Sequence, residues 1–274
     1  HSTRLITGAA VVLTLAACGD LSIQQEDELG DQYAAAIQRE LSLVSDTVVT
    51  GFVTRMARRI TRVADDAQRD WHFYVVNDTL VNAFAVPGGH VFVYRGLIGQ
   101  ARDYAELAGV VGHEIAHVTL RHSVDQMKSR QKTNVIVTVV CAFIDLCGSS
   151  AAQIAIGVGG QALFARHSRE DESEADSAAV DYLARAGIDP NGVAAMFRRM
   201  LNARQESPSV LQAWFGSHPA EEDRIERTEV LAARQAASAP TASGGLGDPG
   251  RAGAEGADQA SFTAFRERVL ALPR

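Results

Sequence analysis

The chain has 274 residues but only three cysteines, Cys18, Cys141 and Cys147, which are too few for a disulfide framework in a protein of this size. Basic residues are in the minority: 26 Lys and Arg against 33 Asp and Glu leave a net charge of −7, so the charge predicts no nucleic-acid partner. No uninterrupted apolar run reaches the roughly 20 residues of a membrane-spanning helix. Gly-x-Ser-x-Gly and Walker sequences are absent, which leaves serine hydrolases and nucleotide hydrolases without support.

The first residues are typical of a secretion signal. Arg4 precedes an uncharged apolar run from Leu5 to Ala17, and the Leu-Ala-Ala-Cys that ends at Cys18 resembles the bacterial lipobox. We therefore expect 1–17 to be a lipoprotein signal peptide and Cys18 to carry a lipid that anchors the chain to a membrane in the periplasm. Because Gly19 stands where an inner-membrane retention aspartate would be, the outer membrane is favoured. An ordinary secretory signal with a chance cysteine is the alternative.

Hydrophobic periodicity divides the rest of the chain into helices around a short strand region. Helical spacing is predicted over 28–65, 104–127, 169–186 and 190–204. β-branched and aromatic residues predict strands at 71–76, 83–86 and 90–94, with a small hairpin across Pro87-Gly88-Gly89. The predicted fold class is α+β and mainly α-helical, with a small β-sheet.

Composition also predicts the boundaries of the folded body. The segment 18–237 has the apolar content of a folded domain, whereas 238–260 is rich in Gly, Ala and Pro and is expected to be a flexible linker. Residues 261–274 carry apolar residues at helical spacing, which predicts a short amphipathic helix that docks on the body. The apolar stretch 135–164 is expected to form a helical hairpin beside the functional cleft or to dip into a membrane surface; whether its Cys141 and Cys147 pair stays open.

The most informative motif is HExxH, formed by His113-Glu114-Ile115-Ala116-His117. Residues i and i+4 share a helical face, so His113 and His117 can direct ring nitrogens at one metal ion. Glu114 lies about 100° around the helix, where it can take a proton from a metal-bound water without being a ligand. The alternative, two structural histidines beside a solvated glutamate, fits less well because the surrounding residues predict a buried helix.

A catalytic zinc takes three protein ligands and leaves one position for water, so a third ligand is needed. The metzincin pattern would place Gly at 120 and His at 123. This chain has Leu120 and Ser123, which excludes that class.

The segment 168–176 offers carboxylates for the third position. Glu172 and Asp176 form an ExxxD pair on one helical face. We expect Glu172 to bind the metal and Asp176 to accept the other ring N–H of a ligand histidine, with His113 favoured. Glu170 and Asp171 are expected to lie on a solvated face.

Three segments together resemble a known family: HEIAHVTLRH (113–122), SREDESEADSAAVDYLARAGIDP (168–190) and SHPAEEDRI (217–225). They are similar to the zinc metallopeptidases related to the type-1 CaaX prenyl protease and HtpX, in particular to the periplasmic branch of the β-barrel assembly-enhancing protease. The resemblance implies a minigluzincin-like metalloprotease domain over 18–237, with a small β-sheet beside the HExxH helix. It also implies one zinc ion held by His113, His117 and Glu172, with Glu114 as general base.

The same resemblance singles out two later residues. The family counterpart of His218 lies near the metal, where it acts as a transition-state hydrogen-bond donor or as an inhibitory fourth ligand; both roles stay open here. Arg224 matches a family arginine six residues farther on and is expected beside the ligands.

The expected function is a zinc-dependent endopeptidase of the bacterial cell envelope. It would hydrolyse peptide bonds in misfolded or outer-membrane proteins by metal-activated water, with Glu114 as general base. No nucleotide is expected to bind. The alternative is a chaperone-like envelope assembly factor with a mostly silent zinc site gated by His218.

The strand His90–Tyr94 has two possible roles. At a sheet edge above the HExxH helix it could pair with the backbone of an extended substrate, which would make side-chain specificity loose. As an interior strand it would have no part in recognition.

Overall fold

The computed structural model describes residues 21–131, 167–206, 211–218, 222–238 and 249–273. Several predictions from the sequence fall outside these residues: the signal peptide 1–17, Cys18, the apolar stretch 135–164 with Cys141 and Cys147, and 239–248. Among the described residues, no helix combines the length and the apolar character required to cross a membrane.

The described residues are mainly helical, as predicted. The helices are α1 (Ile23–Glu40), α2 (Thr47–Ala64), α3 (Arg95–Gln100), α4 (Tyr104–Thr119), α5 (His122–Gln131), α6 (Arg169–Arg185), α7 (Asn191–Glu206), α8 (Gln212–Ser217), α9 (Glu222–Ser238) and α10 (Pro249–Leu270). One predicted helical segment, 104–127, is in fact divided between α4 and α5 at Leu120 and Arg121. Arg121 has a φ of 60°, which a continuous α-helix does not tolerate.

Three strands form one small sheet: β1 (His72–Val76), β2 (Ala83–Val86) and β3 (His90–Tyr94). The order is β1-β3-β2; β2 and β3 form the predicted antiparallel hairpin, and β1 runs parallel to β3. β3 is therefore not at a sheet edge. The prediction that β3 pairs with a substrate backbone is wrong, and the alternative of an interior strand is confirmed. All five residues of β3 are buried between two neighbouring strands, whereas β2 lies at the edge of the sheet.

The two faces of the sheet pack against different helices because successive side chains of a strand point in opposite directions. Phe92 and Tyr94 of β3 join Ala34 and Ile37 of α1 in one apolar cluster. The alternating valines of β3 belong instead to the main core with α2 and α4. The sheet consequently lies directly beside the HExxH helix, as the predicted fold class requires.

Helix α4 is buried along its length, and two glycines allow its neighbours to come close. A Cβ on Gly112 would lie 2.7 Å from Leu183 Cδ1 of α6, and one on Gly109 would lie 2.7 Å from the Val193 nitrogen of α7. Asp103 caps the first turn of α4 by accepting from the Glu106 N–H at 2.8 Å. Arg199 of α7 then donates two bonds to the Glu106 carboxylate, which joins α7 to the same turn.

The C-terminal helix is longer than predicted. α10 begins at Pro249 rather than at 261, so part of the predicted linker 238–260 is helical, and α9 continues to Ser238. Alanine and glutamate between the glycines supply enough helix propensity when the apolar end of α10 packs on the body. Phe262, Phe265 and Val269 lie in the main core, with the Phe265 ring stacked on Phe52 of α2 at 4.0 Å between centroids.

Candidate metal centre

The two histidines of HExxH meet inside the protein. His113 and His117 are almost completely buried, and their Nε2 atoms lie 3.0 Å apart. The α-helical rise of one turn in four residues brings the two rings to the same face of α4.

Helix α6 places Glu172 opposite these rings. Its N-terminus is set by Ser168, whose hydroxyl accepts from the Asp171 N–H while the Asp171 carboxylate accepts from the Ser168 N–H. Glu172 in the following position is fully buried, with Oε1 3.4 Å from His117 Nε2 and Oε2 3.6 Å from His113 Nε2. Glu170 is exposed, whereas Asp171 is partly buried, caps the helix and lies 4.0 Å from His167 Nδ1.

His218 completes the cluster from the C-terminal end of α8. Its Nδ1 lies 3.3 Å from His113 Nε2 and 2.9 Å from Glu172 Oε1. The ring of Trp214, one turn earlier, stacks on His218 with 4.3 Å between centroids, so the imidazole is packed against a large flat surface.

The geometry of the cluster fits one metal ion. Two ligand atoms each about 2.1 Å from a tetrahedral ion are about 3.4 Å apart. Four of the six distances between the ligand atoms of His113, His117, Glu172 and His218 lie between 2.9 and 3.4 Å, with Oε1 as the carboxylate ligand atom. All four residues are buried and their ligand atoms lie within 4.8 Å of one another. The donor set, nitrogen and oxygen only, is one that zinc accepts.

The electrostatics of the cluster also favour a cation. Burial lowers the pKa of His117 well below its usual value, which keeps this imidazole neutral and able to bind a metal. Burial opposes charge on His218 as well, but the carboxylates of Glu172 and Glu114 outweigh it and raise the pKa of His218. The negative charge of these carboxylates, which favours a proton on the His218 ring, also favours a divalent cation between the ligand atoms.

Glu114 faces the same space without joining the set of ligands. Its Oε1 lies 3.4 Å from His218 Nε2. This oxygen has no hydrogen-bond partner among the described residues, and the side chain is only 2% exposed. Burial raises the pKa of Glu114, and the backbone N–H of Ala85 in β2 partly opposes this by bonding to the carboxyl. A buried carboxyl with a raised pKa is suited to accepting and returning a proton.

Asp176 and Arg224 lie behind the four residues of the cluster. His113 Nδ1 is 2.9 Å from Asp176 Oδ1, in the place expected for the partner of a ligand histidine. The close approach is not well aligned, since Nδ1 lacks a hydrogen bond of good geometry. Arg224 donates two bonds of 2.8 Å to Asp176 and also contacts Glu172, so one guanidinium forms ion pairs with two buried carboxylates.

Two further histidines, His122 and His167, border the cluster and were not predicted as site residues. His122 Nδ1 lies 2.8 Å from His117 Nδ1, and the ring of His167 stacks on His117 at 3.9 Å. Burial lowers the pKa of His167 to about 3, so this ring is neutral. His122 stands within the quoted motif HEIAHVTLRH, but no spacing rule assigns it a partner, because α4 ends before it.

The chain is similar in sequence to several known proteins. Residues 48–232 match the profile of peptidase family M48. A putative β-barrel assembly-enhancing protease of Vibrio cholerae is 30% identical over 218 residues, 75% of this chain and 43% of the relative. The β-barrel assembly-enhancing protease of Escherichia coli K12 is 28% identical over 214 residues, with the same shares of 75% and 43%. Metalloprotease YcaL of the same organism is 26% identical over 238 residues, 82% of this chain and 91% of YcaL.

The chain spans less than half the length of the two assembly-enhancing proteases that it resembles. The match to the family profile covers most of the described body and includes every residue of the buried cluster. The predicted family is therefore confirmed: the chain belongs to peptidase family M48, a family of zinc metallopeptidases, and its buried cluster could hold the metal ion.

Proposed function

We propose that this protein is an endopeptidase of the bacterial cell envelope that cleaves misfolded or outer-membrane proteins. His113, His117 and Glu172 would hold the zinc ion. The observation that supports this most directly is the convergence of their ligand atoms with Glu114 in one buried space beside an edge strand.

The zinc ion and the residues next to its proposed ligands each have a distinct part in this proposal. Zinc supplies a Lewis acid that polarises the peptide carbonyl and makes water acidic. Glu114 accepts the proton of the attacking water and passes it to the leaving amine, and its buried, raised-pKa carboxyl suits both steps. Asp176 holds the ring of His113, and Arg224 keeps Glu172 and Asp176 ionised and in place.

We infer that β2, and not β3, binds the substrate backbone. Among the described residues, β2 pairs with a strand on one side only, which is β3. β2 also lies against α4 and brings the Ala85 N–H to Glu114. An extended peptide added along such an edge is held by main-chain bonds, so many sequences can be accepted. Substrates methylated at backbone nitrogens near the cleaved bond should then be cut far more slowly than peptides with the same side chains.

The envelope location rests on the N-terminal pattern and on the names of the relatives. We propose that 1–17 is removed, that lipidated Cys18 anchors the domain over 18–237, and that the anchor lies in the outer membrane. Replacement of Cys18 by serine should then release the protein from the membrane fraction. Unchanged fractionation would contradict the anchor and leave the peptidase assignment intact.

One observation favours a second candidate, an assembly factor whose zinc site is mostly silent. His218 Nδ1 lies 3.3 Å from His113 Nε2 and 2.9 Å from Glu172 Oε1, distances comparable to those among the other three residues. Four protein ligands complete a tetrahedral zinc site and leave no position for water. In this candidate, His218 keeps the site closed until a substrate displaces it.

The deciding experiment measures cleavage of an unfolded protein such as reduced casein by purified protein of measured zinc content. We expect cleavage that stops when a chelator removes zinc and returns when zinc is restored. Protein with one bound zinc and no cleavage of unfolded substrates would instead support the silent assembly factor. Protein that binds no zinc would overturn both candidates.

A further inference from the structure

The Nδ1 atoms of the two histidines on α4, His113 and His117, contact different kinds of side chain. His113 Nδ1 approaches the Asp176 carboxylate directly at 2.9 Å. His117 Nδ1 instead meets another imidazole, that of His122, at 2.8 Å. His122 is 3% exposed and stands at the first position of α5, where the break at Leu120 and Arg121 turns the chain back toward the end of α4.

The tautomers of this pair follow from the geometry. His117 presents Nε2 to His113 and Glu172, so a metal ion bound there leaves its proton on Nδ1. An Nδ1–H donor 2.8 Å from His122 Nδ1 requires the latter to be an acceptor. His122 then carries its proton on Nε2, which lies 3.4 Å from Glu174 Oε2 on the exposed side of α6.

We propose that His122 is a positioning residue for zinc binding: it accepts the Nδ1 proton of His117, fixes that ring in the tautomer with a free Nε2 and is itself oriented by Glu174. The inference rests on the proposed role of His117 as a zinc ligand. It extends the site by a relay of two imidazoles and one carboxylate that runs from the buried cluster to the surface.

A neutral His122 beside His117 affects the charge of the site differently from a carboxylate bonded directly to His117. The partner of His117 is a neutral ring, and the relay's carboxylate is 67% exposed and screened by water. The His117 ring is therefore oriented without a third buried negative charge beside Glu172 and Asp176. Those two carboxylates already share one guanidinium, that of Arg224.

The experiment measures the zinc dissociation constant by competition with a chromogenic chelator, together with the absorption spectrum of the cobalt-substituted protein. His122→Phe fills the space without an acceptor, and we expect zinc to bind about 10- to 100-fold more weakly, with a changed cobalt spectrum. His122→Asn keeps an acceptor oxygen near the position of Nδ1 and should restore most of the affinity. Glu174→Ala should weaken zinc binding by less than His122→Phe does.

Thr119→Val is the matched control. It removes a hydroxyl two residues from His117 that bonds to Tyr182 and not to the histidines, so the zinc affinity should stay as in the unchanged protein. Circular dichroism of each variant confirms folding. Wild-type affinity in His122→Phe, or an equal loss in His122→Phe and His122→Asn, would overturn the proposal. Because the readout is affinity, these outcomes are distinct from a failure of the protein to cleave peptides.

Discussion

His218 Nδ1 lies 2.9 Å from Glu172 Oε1, so His218 is in direct contact with a residue proposed to hold the metal. In the proposed zinc site this imidazole would take the fourth position, which an attacking water needs. We expect His218→Ala to raise the rate of casein cleavage severalfold, because the fourth position is freed while three ligands remain. The measurement is the initial rate per bound zinc.

The opposite outcome for His218 is equally informative. If the ring swings away and then donates to the developing oxyanion, its removal would cost about 10²- to 10³-fold in turnover. A fall of that size would reject the inhibitory role and assign His218 as a catalytic donor. Zinc content measured in the same preparation shows whether a ligand has been lost.

Glu114→Gln should separate zinc binding from catalysis. The amide keeps the size of the side chain but cannot accept the proton of water, so turnover should fall by at least about 10²-fold. Zinc content should stay at one ion per chain because Glu114 is not among the four residues that could hold the ion. Cleavage at the unmodified rate would show that another group is the base.

Arg224→Ala should destabilise the chelator-treated protein. Arg224 is 5% exposed, and its loss leaves the carboxylates of Asp176 and Glu172 buried without their cation. Breaking a buried pair in this way costs about 3–5 kcal/mol in the free energy of unfolding. Urea denaturation measures the change.

A surface pair provides the control for that comparison. Arg185→Ala breaks an ion pair with Asp181 in which both side chains are about half exposed, so less than about 1 kcal/mol should be lost. Similar values for Arg224→Ala and Arg185→Ala would contradict the neutralising role of Arg224.

Phe265→Ala tests whether the C-terminal helix is part of the folded body. Phe265 is 3% exposed and stacks on Phe52, so its truncation should cost about 3–5 kcal/mol. Arg268→Ala on the same helix breaks an exposed pair with Asp46 and should cost less than about 1 kcal/mol. Equal stability of both variants and the unchanged protein would mean that α10 does not contribute to the core in solution.

Local patterns predicted much of the fold and of the site. The strands at 83–86 and 90–94 have the predicted bounds, and the helix with Glu172 and Asp176 follows the predicted segment closely. Local sequence patterns did not predict the order of the strands in the sheet. β3 became the central strand because β1, which precedes the hairpin and runs parallel to β3, pairs along its other side.

The site shows the same division between local and long-range information. Asp176 was expected beside His113 because a ligand histidine needs a partner and the ExxxD spacing offered one. No such pattern pointed from His117 to His122, since the contact depends on a chain reversal at Arg121 with a positive φ. The edge strand beside Glu114 was likewise placed by the sheet order.

The amino-acid sequence by itself determined the chemistry of the centre: HExxH puts two imidazoles on one face and a carboxylate beside them, because a helical turn is a local and regular structure. Only the tertiary structure decided which residues from other helices contact the HExxH side chains. Gly112 lets α6 approach α4 closely enough for Glu172 to reach the histidines, and α8 carries His218 to the remaining side. Such contacts depend on packing between distant segments, which no local pattern encodes.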